Sequence, residues 1–217
     1  VSHRTRIKFC GITRPADAAA AASAGADAIG IIFHEKSSRC VSVDQAREIL
    51  AALPPMVDAV GLFVNAPPVQ VLATVDAMKL RTVQLHGDEP PDDLLKLQGL
   101  TVIKAVHCTP AKLASLGQWH NAAGILLETA STAQAGGTGV ANDWSLVESA
   151  IASGAVTDHP PLIAAGGLTP ENVAEVIGRI RPWAVDVSTG IEESRGIKST
   201  EKMRRFAEAV RRADGDG

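Results

Sequence analysis

Short apolar, β-branched runs alternate with Ala-rich segments of helical period along the whole chain, at 6–10, 27–33, 57–64, 82–85, 101–106, 123–128, 161–165 and 183–188. Runs this short and this apolar suit strands buried on both faces of a parallel sheet. Each is followed by a segment predicted as a helix: 15–24, 43–52, 68–78, 90–97, 110–117, 142–153, 170–179 and 199–212. Several helix starts carry their own signal. Ser42 with Gln45 reads as a capping box, while Thr169-Pro170-Glu171 and Thr109-Pro110 read as an N-cap followed by a first-turn proline.

Eight strand–helix units is the number at which such a sheet closes on itself, so the pattern predicts an α/β fold, a (β/α)₈ TIM barrel occupying residues 1–217 as one domain. An open doubly wound sheet is the alternative. It fits less well, because Cys10-Gly11-Ile12-Thr13 follows the first strand where a dinucleotide site would carry G-x-G-x-x-G.

Composition narrows the function. Hydrophobic residues make up 46% of the 217 but aromatics only 3%, so aliphatic side chains must fill the interior. A net charge of -3 without like-charged blocks argues against a nucleic-acid partner. The basic cluster Arg204, Arg205, Arg211 and Arg212 reads as a solvated helix face. No apolar run approaches the ~20 residues of a membrane span. Three cysteines without paired spacing make no disulfide framework, and a cytoplasmic location is expected. The six histidines form no metal motif, so no metal site is expected.

In a barrel the chemistry sits just beyond the strand ends. The loops after strands six, seven and eight carry Gly136-Gly137-Thr138-Gly139, Gly166-Gly167-Leu168 and Ser188-Thr189-Gly190. Glycines there let backbone N–H groups converge on an anion, which points to phosphate held by Gly137, Thr138, Gly139, Gly166, Gly167, Ser188, Thr189 and Gly190. Cys10 ends the first strand, placing a thiol at the barrel mouth; Cys40 and Cys108 read as small hydrophobes. Glu128 ends the sixth strand, three positions around the ring, where acid and base would face each other across a substrate. Arg39 is a candidate clamp for a substrate carboxylate. Gln84 and His86 offer hydrogen bonds at the same rim, His86 as a structural partner in preference to a proton carrier. Asp186 is expected to point inward and orient the loop above it.

Lys8-Phe9-Cys10-Gly11-Ile12-Thr13 is similar to the opening motif of the phosphoribosylanthranilate isomerases of tryptophan biosynthesis. Gln84-Leu85-His86-Gly87-Asp88-Glu89, Gly136 to Gly139 leading to Asp143-Trp144, Gly166-Gly167-Leu168 with Pro170-Glu171-Asn172, and Asp186 to Glu192 resemble that family's motifs in its order. The resemblance implies a cofactor-free Amadori rearrangement of a small phosphoribosyl substrate by a monomer or homodimer. It makes Cys10 the base, Glu128 the acid, and Arg39 the partner of the anthranilate carboxylate. Two departures stand out. Glu128 occupies a position where the family usually has Asp, and Ser37-Ser38-Arg39-Cys40 replaces Ser-Pro-Arg-Tyr. A histidine-pathway aminoaldose isomerase and a non-catalytic phosphosugar-binding barrel are the competing readings.

Overall fold

A computed structural model describes residues 4–128, 144–154, 156 and 159–215. Eight parallel strands form a closed barrel in chain order: β1 Arg6–Cys10, β2 Ala28–Ile32, β3 Asp58–Phe63, β4 Thr82–Leu85, β5 Thr101–His107, β6 Gly124–Glu128, β7 Leu162–Ala165 and β8 Ala184–Val187. The ring closes where β1 pairs with β8, Lys8 opposite Asp186. The predicted strands are recovered to within a residue at each end.

Helices cover the outside: α1 Pro15–Ala24, α2 Val43–Ala51, α3 Pro68–Met78, α4 Pro91–Leu95, α5 Pro110–Leu113, α6 Ser145–Ala152, α7 Val173–Ile180 and α8 Thr200–Gly215. The capping box of α2 is formed on Ser42 and Gln45, and the Thr109 hydroxyl caps α5. Two expectations need correcting. The segment predicted as one helix over 110–117 breaks after Leu113 and resumes as a 3₁₀ turn at Leu116–Trp119. Thr169 closes a turn ahead of α7, its N–H donating to Asn172 Oδ1 and its hydroxyl accepting from Glu171, so the helix starts at Val173, not at Pro170.

Alternation along the strands sorts side chains into two cores. Ile7, Phe9, Ile29, Ile31, Val83, Leu85, Ile125, Leu127, Val185 and Val187 belong to the large cluster shared with the helices, where Phe9 meets Phe206 of α8 edge-on. Ala105, Leu126, Ile163, Ala165 and Ala184 form a smaller cluster of inward positions inside the barrel. The interior is thus a packed plug, and any ligand must sit above it, at the C-terminal strand ends.

One element was not anticipated. Beyond β8, a 3₁₀ turn at Thr189–Ile191 leads into an antiparallel hairpin, β9 Glu192–Ser194 and β10 Ile197–Lys198.

Candidate active site

A cavity of about 340 Å³ opens at the C-terminal strand ends, a volume at the lower end of the range for small-ligand sites. Cys10, Arg39, His86, Glu128, Asp186, Gly166, Gly167, Ser188, Thr189 and Gly190 all line it, as do Ile32, Leu62 and Val64 on an apolar wall. Gln84 lies beneath, fully buried. Gly137, Thr138 and Gly139 lie outside the described residues. Gly166 and Gly167 have φ of 86° and 63°, a left-handed pair open to glycine at no steric cost, and they leave the cavity wall there free of side chains.

The Cys10 thiol faces the cavity but is only 4% exposed. It fits because its strand neighbour is Gly30, where a Cβ would stand 2.7 Å from the sulfur. Below it the Lys8 ammonium donates to Asp186 Oδ1 at 2.8 Å, both groups almost fully buried, and also reaches the thiol. Asp186 therefore points inward as expected, yet its carboxylate is taken up by Lys8. Burial pushes the Cys10 thiol above its ordinary value and Asp186 adds to this, against the opposing pull of Lys8 and Lys198. The same surroundings leave Lys8 more firmly protonated: burial opposes its charge, but Asp186 and Cys10 outweigh that.

Across the cavity, Glu128 Oε2 is met by His86 Nε2 at 3.1 Å and by His107 Nδ1 at 3.4 Å. The Gln84 amide donates to His86 Nδ1 at 2.6 Å, which leaves Nε2 as the nitrogen that carries hydrogen toward Glu128. Burial alone would raise the Glu128 carboxyl, but the hydrogen bond and charge of His86, with the charge of His107, hold it below the usual carboxylate range. His86 is thus bonded directly to the candidate acid. Its loop is held from behind by a buried pair: Glu89 accepts from Lys104 at 2.9 Å and from the N–H groups of Asn65 and Gly87, and Lys104 donates to the Gly87 carbonyl at 2.6 Å.

Arg39 lies over Gly11 and makes a two-pronged bond to Glu192, Nε to Oε1 at 2.5 Å and Nη2 to Oε2 at 2.7 Å. Lys198, wholly buried, donates to the same Glu192 at 3.1 Å and to the Ser188 carbonyl at 3.0 Å. The β9–β10 hairpin supplies both residues, so it ties Arg39 to the Ser188 loop. Burial lowers Lys198's hold on its proton and Arg39 adds to that, more than Glu192 and Cys10 restore.

The family model for N-(5'-phosphoribosyl)anthranilate (PRA) isomerase matches residues 7–209. The chain belongs to this isomerase family. An N-(5'-phosphoribosyl)anthranilate isomerase of Pseudomonas paraeruginosa is 49% identical over 208 residues, 95% of each chain. The crystal structure of phosphoribosyl anthranilate isomerase from Thermotoga maritima superposes with a TM-score of 0.86 at 38% identity, covering 95% of this chain and 98% of that one. A structure of the isomerase in complex with reduced 1-(o-carboxyphenylamino)-1-deoxyribulose 5-phosphate gives 0.81 at 35% identity, with the same coverage.

Against the expectations for this phosphoribosylanthranilate isomerase family, the described candidates converge on one cavity, with Gln84 directly behind it. Cys108 is buried as anticipated, with its thiol pushed up to about 12 by burial first and Glu128 second, but Cys40 is only half-buried. Sequence reasoning passed over Lys8, His107, Glu192 and Lys198. Lys8 and Glu192 lie inside the quoted motifs, and a charged residue at an inward strand position, as Lys8 is, was the available signal. The described residues contain no group of three or more His, Cys, Asp and Glu arranged for a metal ion, and no helix long and apolar enough to cross a membrane.

Proposed function

We propose that Cys10 and Glu128 are the base and acid of an Amadori rearrangement carried out in this cavity. The protein is an isomerase of N-(5'-phosphoribosyl)anthranilate, acting in tryptophan biosynthesis. Glu128 protonates the furanose ring oxygen as the C1′–O bond breaks, leaving an open-chain iminium at C1′. The Cys10 thiolate removes the C2′ proton, and the released electron pair forms the C1′–C2′ double bond and neutralises the nitrogen. The resulting enolamine tautomerises to the ketone. Each step needs its own titratable group on its own side of the sugar.

The observation that supports these roles is that a thiol beside a buried ammonium and a carboxylate beside two imidazoles line opposite parts of one cavity. Between them the glycine-rich ends of the seventh and eighth units would hold the phosphate through backbone N–H groups. The apolar wall of Ile32, Leu62 and Val64 suits the anthranilate ring. Arg39 spends Nε and Nη2 on Glu192, with Nη2 also reaching the Thr189 hydroxyl at 3.4 Å, so Nη1 is the group available to the anthranilate carboxylate.

Steady-state turnover tests the assignment. Cys10→Ser and Glu128→Gln should each lose at least ~10²-fold in kcat while product affinity is largely kept. Full activity in Glu128→Gln would remove that residue from the mechanism. Turnover of only the histidine-pathway aminoaldose would overturn the choice of substrate.

A further inference from the structure

His107 ends β5 opposite Glu128 on β6 in the strand register, and its Nδ1 lies 3.4 Å from Glu128 Oε2, the oxygen that His86 also meets. Its side chain is 55% exposed, and it is not part of the cavity wall. We propose that His107 is a proton-return residue: it carries a proton from solvent to Glu128 once the chemistry is complete, from a position outside the cavity wall.

The need for such a path follows from the proton balance of the reaction proposed above, on which this inference rests. Ring opening takes a proton from Glu128, and abstraction at C2′ adds one to Cys10. At the enolamine stage the enzyme therefore holds Cys10 as thiol and Glu128 as carboxylate. To start again, Cys10 must lose a proton and Glu128 must gain one. A carboxylate held below its usual range collects protons poorly at neutral pH, whereas imidazole is the side chain suited to taking and giving protons there.

Among the described residues, the groups around Glu128 are His86 just beyond β4, with Gln84 behind it, and His107 and Cys108 at the end of β5; its β7 register partner is Ala165, which cannot titrate. Cys108 is buried and holds its proton too firmly to exchange it near neutral pH. His86 lines the cavity itself, on the side where substrate would sit. His107 alone among these described groups combines contact with Glu128 and an exposed, titratable ring. Gln84 complements the arrangement: its Oε1 is buried without a hydrogen-bond partner among the described residues, and an amide can turn either end toward His86 Nδ1.

His107→Gln is the test, measured in buffers of varied concentration. A return step slowed by the variant should lower kcat about tenfold, less than the 10²–10⁴ that loss of an acid costs, with kcat/KM changed much less. Added imidazole should restore a large part of kcat, an effect that a merely structural role would not produce. NMR of the histidine rings supplies a readout independent of turnover, since Glu128→Gln should displace the His107 ring resonances. An unchanged kcat in His107→Gln, a loss unaffected by imidazole, or His107 resonances indifferent to Glu128→Gln would each overturn the proposal. Activity retained in Glu128→Gln would instead overturn the assignment of the acid, with the His107 coupling still readable by NMR.

Discussion

Glu192 binds two cations at once, and replacing it by Gln keeps its shape while removing its charge. The Arg39 and Lys198 side chains are 18% and 0% exposed and would lose their shared counter-ion. Removing one partner of a buried pair costs ~3–5 kcal/mol, and the lower figure applies here because Lys198 can shed its proton. At ~2–4 °C per kcal/mol for a chain of this size, Glu192→Gln should lower Tm by about 6–12 °C. Burial alone would raise the Glu192 carboxyl, but Arg39 and Lys198 hold it below its ordinary value. Its folded value being lower than its unfolded one, its contribution is complete above ~4.3 and fades as pH falls through the folded value. Thermal unfolding followed by circular dichroism should therefore show the full gap between wild type and variant at pH 7, narrowing below about pH 4. A Tm within 2 °C of wild type at pH 7 would refute the reasoning, as would a gap of constant size over that pH range. Because the same carboxylate orients Arg39, the variant should also raise KM more than it lowers kcat.

Three further substitutions probe the cavity floor. Lys8→Met removes the cation beside the thiol, so the apparent Cys10 midpoint followed by iodoacetamide alkylation should move still higher and kcat/KM should fall at least ~10-fold; an unchanged midpoint would separate Lys8 from the thiol. Gly30→Ala places a methyl 2.7 Å from the Cys10 sulfur and 3.1 Å from its Cα, so kcat should drop on the order of 10²-fold in a protein that still folds. Wild-type turnover in this variant would mean that the thiol has room to move. Glu128→Asp withdraws the carboxylate from His86 and His107 by about one C–C bond, and kcat/KM should fall roughly 10–10²-fold. An Asp variant as fast as wild type would show that the two histidines are not tuned to the longer side chain.

Fold and site differed in how far they could be read from the sequence. Strand runs such as 82–85 and 6–10, each followed by a segment of helical period, state their boundaries locally, and alternation within the strands orients Cys10, Glu128 and Asp186 toward the barrel mouth. Partners that meet only through closure of the ring leave no such trace. Lys8 and Asp186 are 178 positions apart, and Arg39 and Glu192 are 153 apart. Asp186 was therefore assigned to the loop above it when its partner is across the β1–β8 seam. The β9–β10 hairpin escaped for a different reason: strands of three and two residues, mostly polar, are shorter than the period that would reveal them. His107 fell at the end of a run read as a strand only to 106, and so was never considered as a rim residue.

The seam between the first and last strands also has a consequence for how the protein is made. Lys8 leaves the ribosome before its partner, which follows 178 residues later, at 5–20 residues per second a delay of ~9–36 s. Throughout that interval the ammonium has no carboxylate to meet inside the barrel and is best left in water. Nascent chains that lack the eighth strand should therefore keep the first strand accessible, and Cys10 with it. Alkylation of that thiol in stalled chains of increasing length would report the moment at which the ring closes.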